Sequence, residues 1–206
     1  MTDTSVLFIV SAPSGAGKTS LLRDLLARDK QLSLSVSHTT RAMRPGEEDG
    51  VHYHFVDKDT FEGLVEQDVF IEYAQVFDNF YGTSEAAVRD QLQAGQDVVV
   101  EIDWQGARQV RERFPQAVSI FIVPPSIEAL RERLSGRGQD SDEIIERRMR
   151  DAQAELSHYG EYDYLVINDQ FDLALQQLGE VVDAERLRRE RQQVRYADVL
   201  EAMLQG

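Results

Sequence analysis

At 206 residues, 42% of them hydrophobic, the chain has room for one domain with insertions and enough apolar side chains to bury a core. Its formal charge of −15, from 37 acidic against 22 basic residues, excludes a broad surface for nucleic acid or anionic membranes, so an anionic ligand must be met by local clusters of arginine. The absence of cysteine rules out disulfides and thiolate metal sites and suits a reducing cytosol.

The first apolar run, residues 6–10, has the length of a strand and is too short for a signal peptide or a membrane span, so a soluble cytoplasmic protein is expected. It enters the turn Ser11-Ala-Pro-Ser-Gly-Ala-Gly-Lys-Thr19 and leaves as a helical pattern over 19–28. That is the build of a phosphate-binding loop. Backbone N–H groups around Gly15, Ala16 and Gly17 wrap an anion at a helix N-terminus. Lys18 adds charge for the β- and γ-phosphates, the Thr19 hydroxyl can ligate Mg²⁺, and Ser14 and Ser20 flank the same contact. Ala12 stands where the first glycine of the pattern is usual, a mild change if its φ is negative.

Between 32 and 82 the texture changes. Residues 33–40 and 51–56 alternate like partly exposed strands around the turn Arg44-Pro-Gly-Glu-Glu-Asp-Gly50, which reads as an inserted, mostly antiparallel lobe. Arg41 and Arg44, with Ser37, Tyr53 and Tyr81, make a cradle for a second phosphate, because arginine forks match phosphate oxygens. The plainer alternative is that arginines beside Pro-Gly only solvate a turn. His52 and His54 alternate on one strand, but without a third ligand they read as structural.

Helical spacing returns over 85–94, and the run 98–102 is a second buried strand. It ends Glu101-Ile-Asp103, two acids on one face at the sheet's carboxyl edge, where the phosphate loop opens. Asp103 is thereby the candidate to hold Mg²⁺ through water beside Thr19, and Trp104 reads as a packing residue. A helix over 106–113 and a strand over 118–123 follow. Residues 126–156 form an arginine-rich helical excursion with segments 127–134 and 142–156, in which Arg131, Arg133 and Arg147 sit among glutamates and read as a solvated face. A last buried strand covers 164–167, and a charged helix from about 183 to 204 closes the chain. Its Leu187, Val194, Leu200 and Leu204 either pack on the core or pair two subunits. The alternation of apolar runs and helices predicts an α/β fold with a parallel sheet.

Taken together, Ser-Ala-Pro-Ser-Gly-Ala-Gly-Lys-Thr at 11–19, Ser-x-Thr-Thr-Arg-x-x-Arg-Pro-Gly-Glu at 37–47, Phe-Ile-Glu at 70–72 and Tyr-Gly-Thr at 81–83 are similar to guanylate kinases. Glu-Ile-Asp-Trp-Gln-Gly at 101–106, Gly-Arg-Gly at 136–138 and Val-Ile-Asn-Asp at 166–169 extend that resemblance along the whole chain. It implies a P-loop nucleoside monophosphate kinase-like parallel sheet flanked by helices, with core segments 1–32, 85–125 and 157–206, a GMP-binding lobe over 33–84 and a helical lid over 126–156. It also implies transfer of a phosphoryl group from ATP, with Mg²⁺, to GMP. By the same resemblance Ser37, Arg41, Arg44, Tyr53 and Tyr81 would hold the GMP phosphate. Glu72, Thr83 and Glu101 would read guanine. Arg137 and Arg148 would close on the phosphates beside Lys18 and Arg41, and Asn168 would lie near adenine. No nucleic acid or membrane partner is expected. Two other functions share this framework: a P-loop kinase of another phosphorylated acceptor, and a non-catalytic phosphopeptide-binding module. The retained Lys18, Thr19 and Asp103 weigh against the second.

Overall fold

The computed structural model describes residues 4–76, 78–136 and 142–205. In chain order the strands are β1 Leu7–Ser11, β2 Leu32–Leu34, β3 His38–Thr39, β4 His54–Phe55, β5 Phe70–Val76, β6 Asn79–Ser84, β7 Asp97–Glu101, β8 Val118–Val123 and β9 Tyr164–Ile167. The helices are α1 Lys18–Arg28, α2 Lys58–Glu66, α3 Glu85–Gln93, α4 Trp104–Arg113, α5 Ile127–Ser135, α6 Asp142–Leu156, α7 Phe171–Arg186, α8 Arg189–Arg195 and α9 Ala197–Gln205.

Five strands form a parallel sheet in the order β2-β7-β1-β8-β9. The continuous apolar texture of β1 and β8 follows from burial on both faces. Side chains alternate: Phe8 and Val10 meet Leu21 and Leu25 of α1 and Leu175 and Leu178 of α7. Leu7 and Ile9 point the other way, into Val88 of α3 and Val110 of α4. Each such fully buried side chain contributes roughly 1.5–3 kcal/mol. Register pairs Val10 with Glu101 and Ser11 with Phe121, so the carboxyl ends of β1, β7 and β8 finish at one edge.

A second sheet, in the order β4-β3-β6-β5, is antiparallel except for the short β3–β4 pair. Its hairpin carries a bulge between Phe70 and Glu72, where β5 advances two residues against one of β6. The bulge buries Phe70, Ile71 and Glu72 in succession and sets Glu72 opposite Thr83. A third apolar cluster, Leu130, Leu134, Ile145 and Met149, joins α5 to α6.

Three expectations are corrected here. Residues 33–40 do not form one strand of the second sheet: β2 pairs with β7 in the parallel sheet, and only β3 joins the other. Over 51–56 only His54–Phe55 is a strand. The closing helix is three helices, because Arg191 and Gln192 donate to the last carbonyls of α7, Glu185 and Arg186, and so end it. Buried Glu185 gathers Arg188, Arg191 and the Tyr164 hydroxyl, while Arg186 is paired with Asp29 and Asp97. Arg186, Arg188 and Arg191 are therefore neutralised by acids of the same chain.

Candidate active site

The phosphate loop lies between β1 and α1. Gly15 and Gly17 have φ of 89° and 92°, in the left-handed region that favours glycine. Ala12 does not have positive φ, so a methyl group there carries no backbone strain. No side chain caps α1, which leaves its first-turn N–H groups available to an anion.

The loop is braced from behind. Asn168 Nδ2 donates to the Ala16 carbonyl at 2.7 Å, and Arg133 donates to both that carbonyl, at 3.4 Å, and the Asn168 carbonyl, at 2.8 Å. A Cβ on Gly17 would lie 2.5 Å from Asn168 Nδ2, so the contact needs glycine. Asn168, expected at adenine, thus holds the loop from a buried position. Arg133, expected on a solvated face, faces the same loop. Arg131 and Arg147 are on the surface, paired with Glu146 and Asp151.

The acidic strand end divides its two carboxylates. Asp103 caps α4 through the Gly106 N–H at 2.9 Å and accepts from Gln105 at 3.1 Å. Glu101 is the one that meets Thr19, accepting from its hydroxyl at 2.7 Å, with Lys18 Nζ 3.8 Å away. β7 ends at Glu101, so the assumed alternation does not continue to Asp103.

Beyond this edge opens a cleft of ≈ 210 Å³ whose walls include Lys18, Ser37, Tyr53, Glu72, Tyr81 and Glu101. At its back Thr83 donates to Glu72 at 2.6 Å, and Ser37 lies 3.0 Å from Thr83. Glu72 is 3% exposed, and burial pushes its carboxyl up to about 7, against the opposing effect of the Thr83 hydrogen bond. Gly106 leaves room for it: a Cβ there would lie 2.5 Å from Glu72 Oε2. Burial also pushes the Tyr53 hydroxyl up to about 12, so Tyr53 is a neutral hydrogen-bonding group.

Arg41 lies 5.5 Å from the Tyr53 ring and is paired with Glu47 at 2.7 Å, which also accepts the Arg44 N–H. Arg44 is exposed and not in the cleft wall. Arg148 is half-buried on α6, also outside that wall, and Arg137 lies outside the described residues. The structure therefore joins Ser37, Tyr53, Glu72, Tyr81, Thr83 and Glu101 around one cleft, with Arg41 beside Tyr53. It adds Glu47, Gly106 and Glu155, which the sequence motifs left without a role, and Arg133, which read as part of a solvated face. Glu47 closes the second motif, so its place beside Arg41 was the one of these with a local signal.

At the start of α4, Trp104 stacks on His158 with ring centroids 3.8 Å apart, and one turn on Arg108 forks onto Glu161. The histidine rings of the second sheet, His38 and His54, lie 4.7 Å apart at a tilt of 36°. Among the described residues no group of three or more histidines or acids is placed to hold a metal by itself. A cavity of ≈ 400 Å³ elsewhere, lined by Leu92, Arg113 and Phe114, has its Arg113 already paired with Asp68 and Glu85.

The guanylate kinase family model matches residues 4–185. The chain belongs to the guanylate kinase family. It is 63% identical to a guanylate kinase of Chromohalobacter salexigens over 96% of this chain and 92% of that protein. Identity to a guanylate kinase of Alkalilimnicola ehrlichii is 60%, over 96% and 98% of the two chains. The solved guanylate kinase of Anaplasma phagocytophilum superposes with a TM-score of 0.76 at 34% identity, covering 91% of this chain and 89% of that one. The family's fold, a parallel sheet flanked by helices with a second, mixed sheet, is the one described above.

Proposed function

We propose that the protein transfers the γ-phosphoryl group of ATP to GMP, giving ADP and GDP, as the names of its relatives describe. The observation that carries this reading is the buried Ser37–Thr83–Glu72 chain at the back of a cleft that Lys18 of the phosphate loop also lines. Guanine presents N1–H and its N2 amine as adjacent donors and O6 as an acceptor. The two oxygens of Glu72 take both donors, and the Thr83 hydroxyl turns from Glu72 to O6. Adenine has no such donor pair, and AMP would leave the buried carboxyl unpaired.

The phosphoryl acceptor needs little activation. The second pKa of a phosphate monoester is about 6, so GMP is largely dianionic near neutrality and no general base is required. A GMP phosphate oxygen attacks the γ-phosphorus as the bond to the bridging oxygen of ADP breaks. What this chain supplies is alignment and positive charge: Lys18 at the loop, and Arg41, Arg44, Arg137 and Arg148 drawn in as the 33–84 lobe and the 126–156 lid close. Contraction measured by small-angle scattering with a bisubstrate analogue tests that closure.

Mg²⁺ fits the residues present. Thr19 and Glu101 offer hard oxygen atoms beside the loop, and magnesium ordinarily relies on one or two carboxylates, water and substrate phosphates. Thr19 and Glu101 would hold it, with Asp103 reaching through water; when bound it neutralises charge on the β- and γ-phosphates.

We place this activity in the cytoplasm, in purine nucleotide supply. Among the described residues no helix is long and apolar enough to cross a membrane. The exposed Val199, Leu200, Met203 and Leu204 of α9 pair two copies of the chain, a reading that monomeric sedimentation at high concentration would remove. The deciding assay is coupled ADP production with GMP, dGMP, AMP, CMP and UMP as acceptors. Turnover confined to the guanine nucleotides is expected; equal turnover of AMP would sink the proposal.

A further inference from the structure

Glu155 sits one residue from the C-terminal end of α6, and its carboxylate accepts the Ser14 N–H of the phosphate loop at 3.0 Å. This is an unfavourable place for an acid. Burial and the nearby Asp103 and Asp151 all push its carboxyl up, opposed by the Ser14 N–H and Lys18. A carboxylate nevertheless fills a donor in a loop whose geometry is built to receive phosphate.

The location of that donor is informative. Two cavities meet at the loop: one of ≈ 400 Å³ against Gly15, Gly17, Thr19 and Ser20, and the acceptor cleft described above. Ala12, Ser14 and Lys18 line both. Their shared wall is the junction between donor and acceptor sites, through which a transferred group must pass. Glu155 lines the cleft on the acceptor side of that junction. It is held from a point three residues onward, where His158 stacks on Trp104 and bonds Glu161, itself forked to Arg108. None of these contacts involves the loop, so exchanging the Ser14 bond does not require breaking them.

We infer that Glu155 is an internal stand-in for the phosphoryl group in transit: it holds the Ser14 N–H in the empty protein, gives way to the terminal phosphate of the donor, and returns once that group has left. It is a positioning residue that competes with the third phosphate of ATP and leaves the phosphates nearer the start of α1 alone. Glu155 therefore narrows the difference in affinity between the triphosphate donor and the diphosphate product, and so restrains the empty enzyme from binding ATP. The inference rests on the reading of ATP as donor.

Calorimetric titration of the full chain with ATP, ADP, CTP, UTP and inorganic tripolyphosphate tests it, in wild type, Glu155→Gln and Glu155→Ala. Glu155→Gln keeps the shape and an acceptor for Ser14 but removes the charge. Both variants should bind ATP and tripolyphosphate about tenfold more tightly, which is about 1.4 kcal/mol, with ADP changed by less than about twofold. Equal gains for ATP and ADP would mean a general charge effect on the site. Unchanged or weaker triphosphate binding, above all in Glu155→Ala, would mean that the contact only shapes the loop. Either result overturns the inference. Wild-type protein that binds tripolyphosphate but shows no preference for ATP over other triphosphates would instead remove ATP as the donor, while the tripolyphosphate series still decides the role of Glu155.

Discussion

The two halves of the candidate active site are made in different ways. The phosphate loop is a run of consecutive residues whose binding groups are backbone N–H, fixed by two left-handed glycines and clasped by Asn168 and Arg133. The acceptor cleft has no such run. Its groups come from β5, β6, the segment after β2, Tyr53 and the end of β7, and its central group is a buried acid held off its ordinary ionisation. A backbone site presents the same donors to any phosphate, whereas a side-chain site can match one base. On the proposed function, affinity for a common feature and discrimination among bases are thus separated in space.

Mutations that strike one half and spare the other sharpen this contrast. Lys18→Ala removes the loop's own lysine and should lower kcat by at least about a hundredfold, about 2.7 kcal/mol or more, with little change in GMP affinity. Near-normal turnover of the purified variant would detach the loop from the chemistry.

Glu72→Gln strikes the other half. One oxygen becomes an amine facing a guanine donor, so kcat/KM for GMP should fall by about 2–3 kcal/mol while ATP binding is retained. The same variant reads the strain in the site. A folded-state carboxyl near 7 and an ordinary unfolded one mean that, between about pH 4.5 and 7, the native state binds more protons than the unfolded chain. Wild-type stability should accordingly decline across that window, by on the order of 3 kcal/mol, and level off above it. Denaturant melts of Glu72→Gln should lack the decline; an identical pH profile in both proteins would mean that Glu72 ionises freely.

A smaller effect comes from Gly106→Ala, whose Cβ would crowd Glu72 Oε2 at 2.5 Å. KM for GMP should rise about tenfold, roughly 1.4 kcal/mol, with KM for ATP unchanged; a rise in both would place the damage in α4 as a whole. The smallest effect is expected from Ala12→Gly. Since Ala12 needs no positive φ, the change should cost only about 0.4–1 kcal/mol of stability, through the freer unfolded chain, and leave kcat within about twofold. A gain in activity would show that the methyl group constrains the loop after all.

The same division explains what could be read in advance. The strands β1, β7, β8 and β9 and the loop after β1 are local patterns, apolar runs meeting turn residues, and they stand in the structure where the chain suggests. Helix α7 also carried a signal, with Ala174, Leu175, Leu178 and Val182 at helical spacing, which the assignment of one late charged helix obscured. β2 did not, because three residues beside a longer alternating stretch do not announce which sheet they join. In the cleft, Glu72 could be named from its motif, but its setting could not. That setting depends on a bulge at Ile71 and on the absence of a side chain at Gly106, more than thirty positions later. Arg133 and Glu155 look like any charged residues on amphipathic helices; only the packing of α5 and α6 turns them toward the loop. The exchange of Asp103 for Glu101 beside Thr19 has a similar origin, since the start of α4 takes the later acid as its cap.

Trp104 is the chain's single tryptophan, and it lies face to face with His158 at 3.8 Å, at the seam between α4 and the segment that follows α6. All indole emission of the native protein therefore comes from that seam. Any shift of α6 against the core changes how the ring is covered, so the wild-type molecule carries an optical gauge of this movement and can be followed, unlabelled, through a single turnover in a stopped-flow fluorimeter.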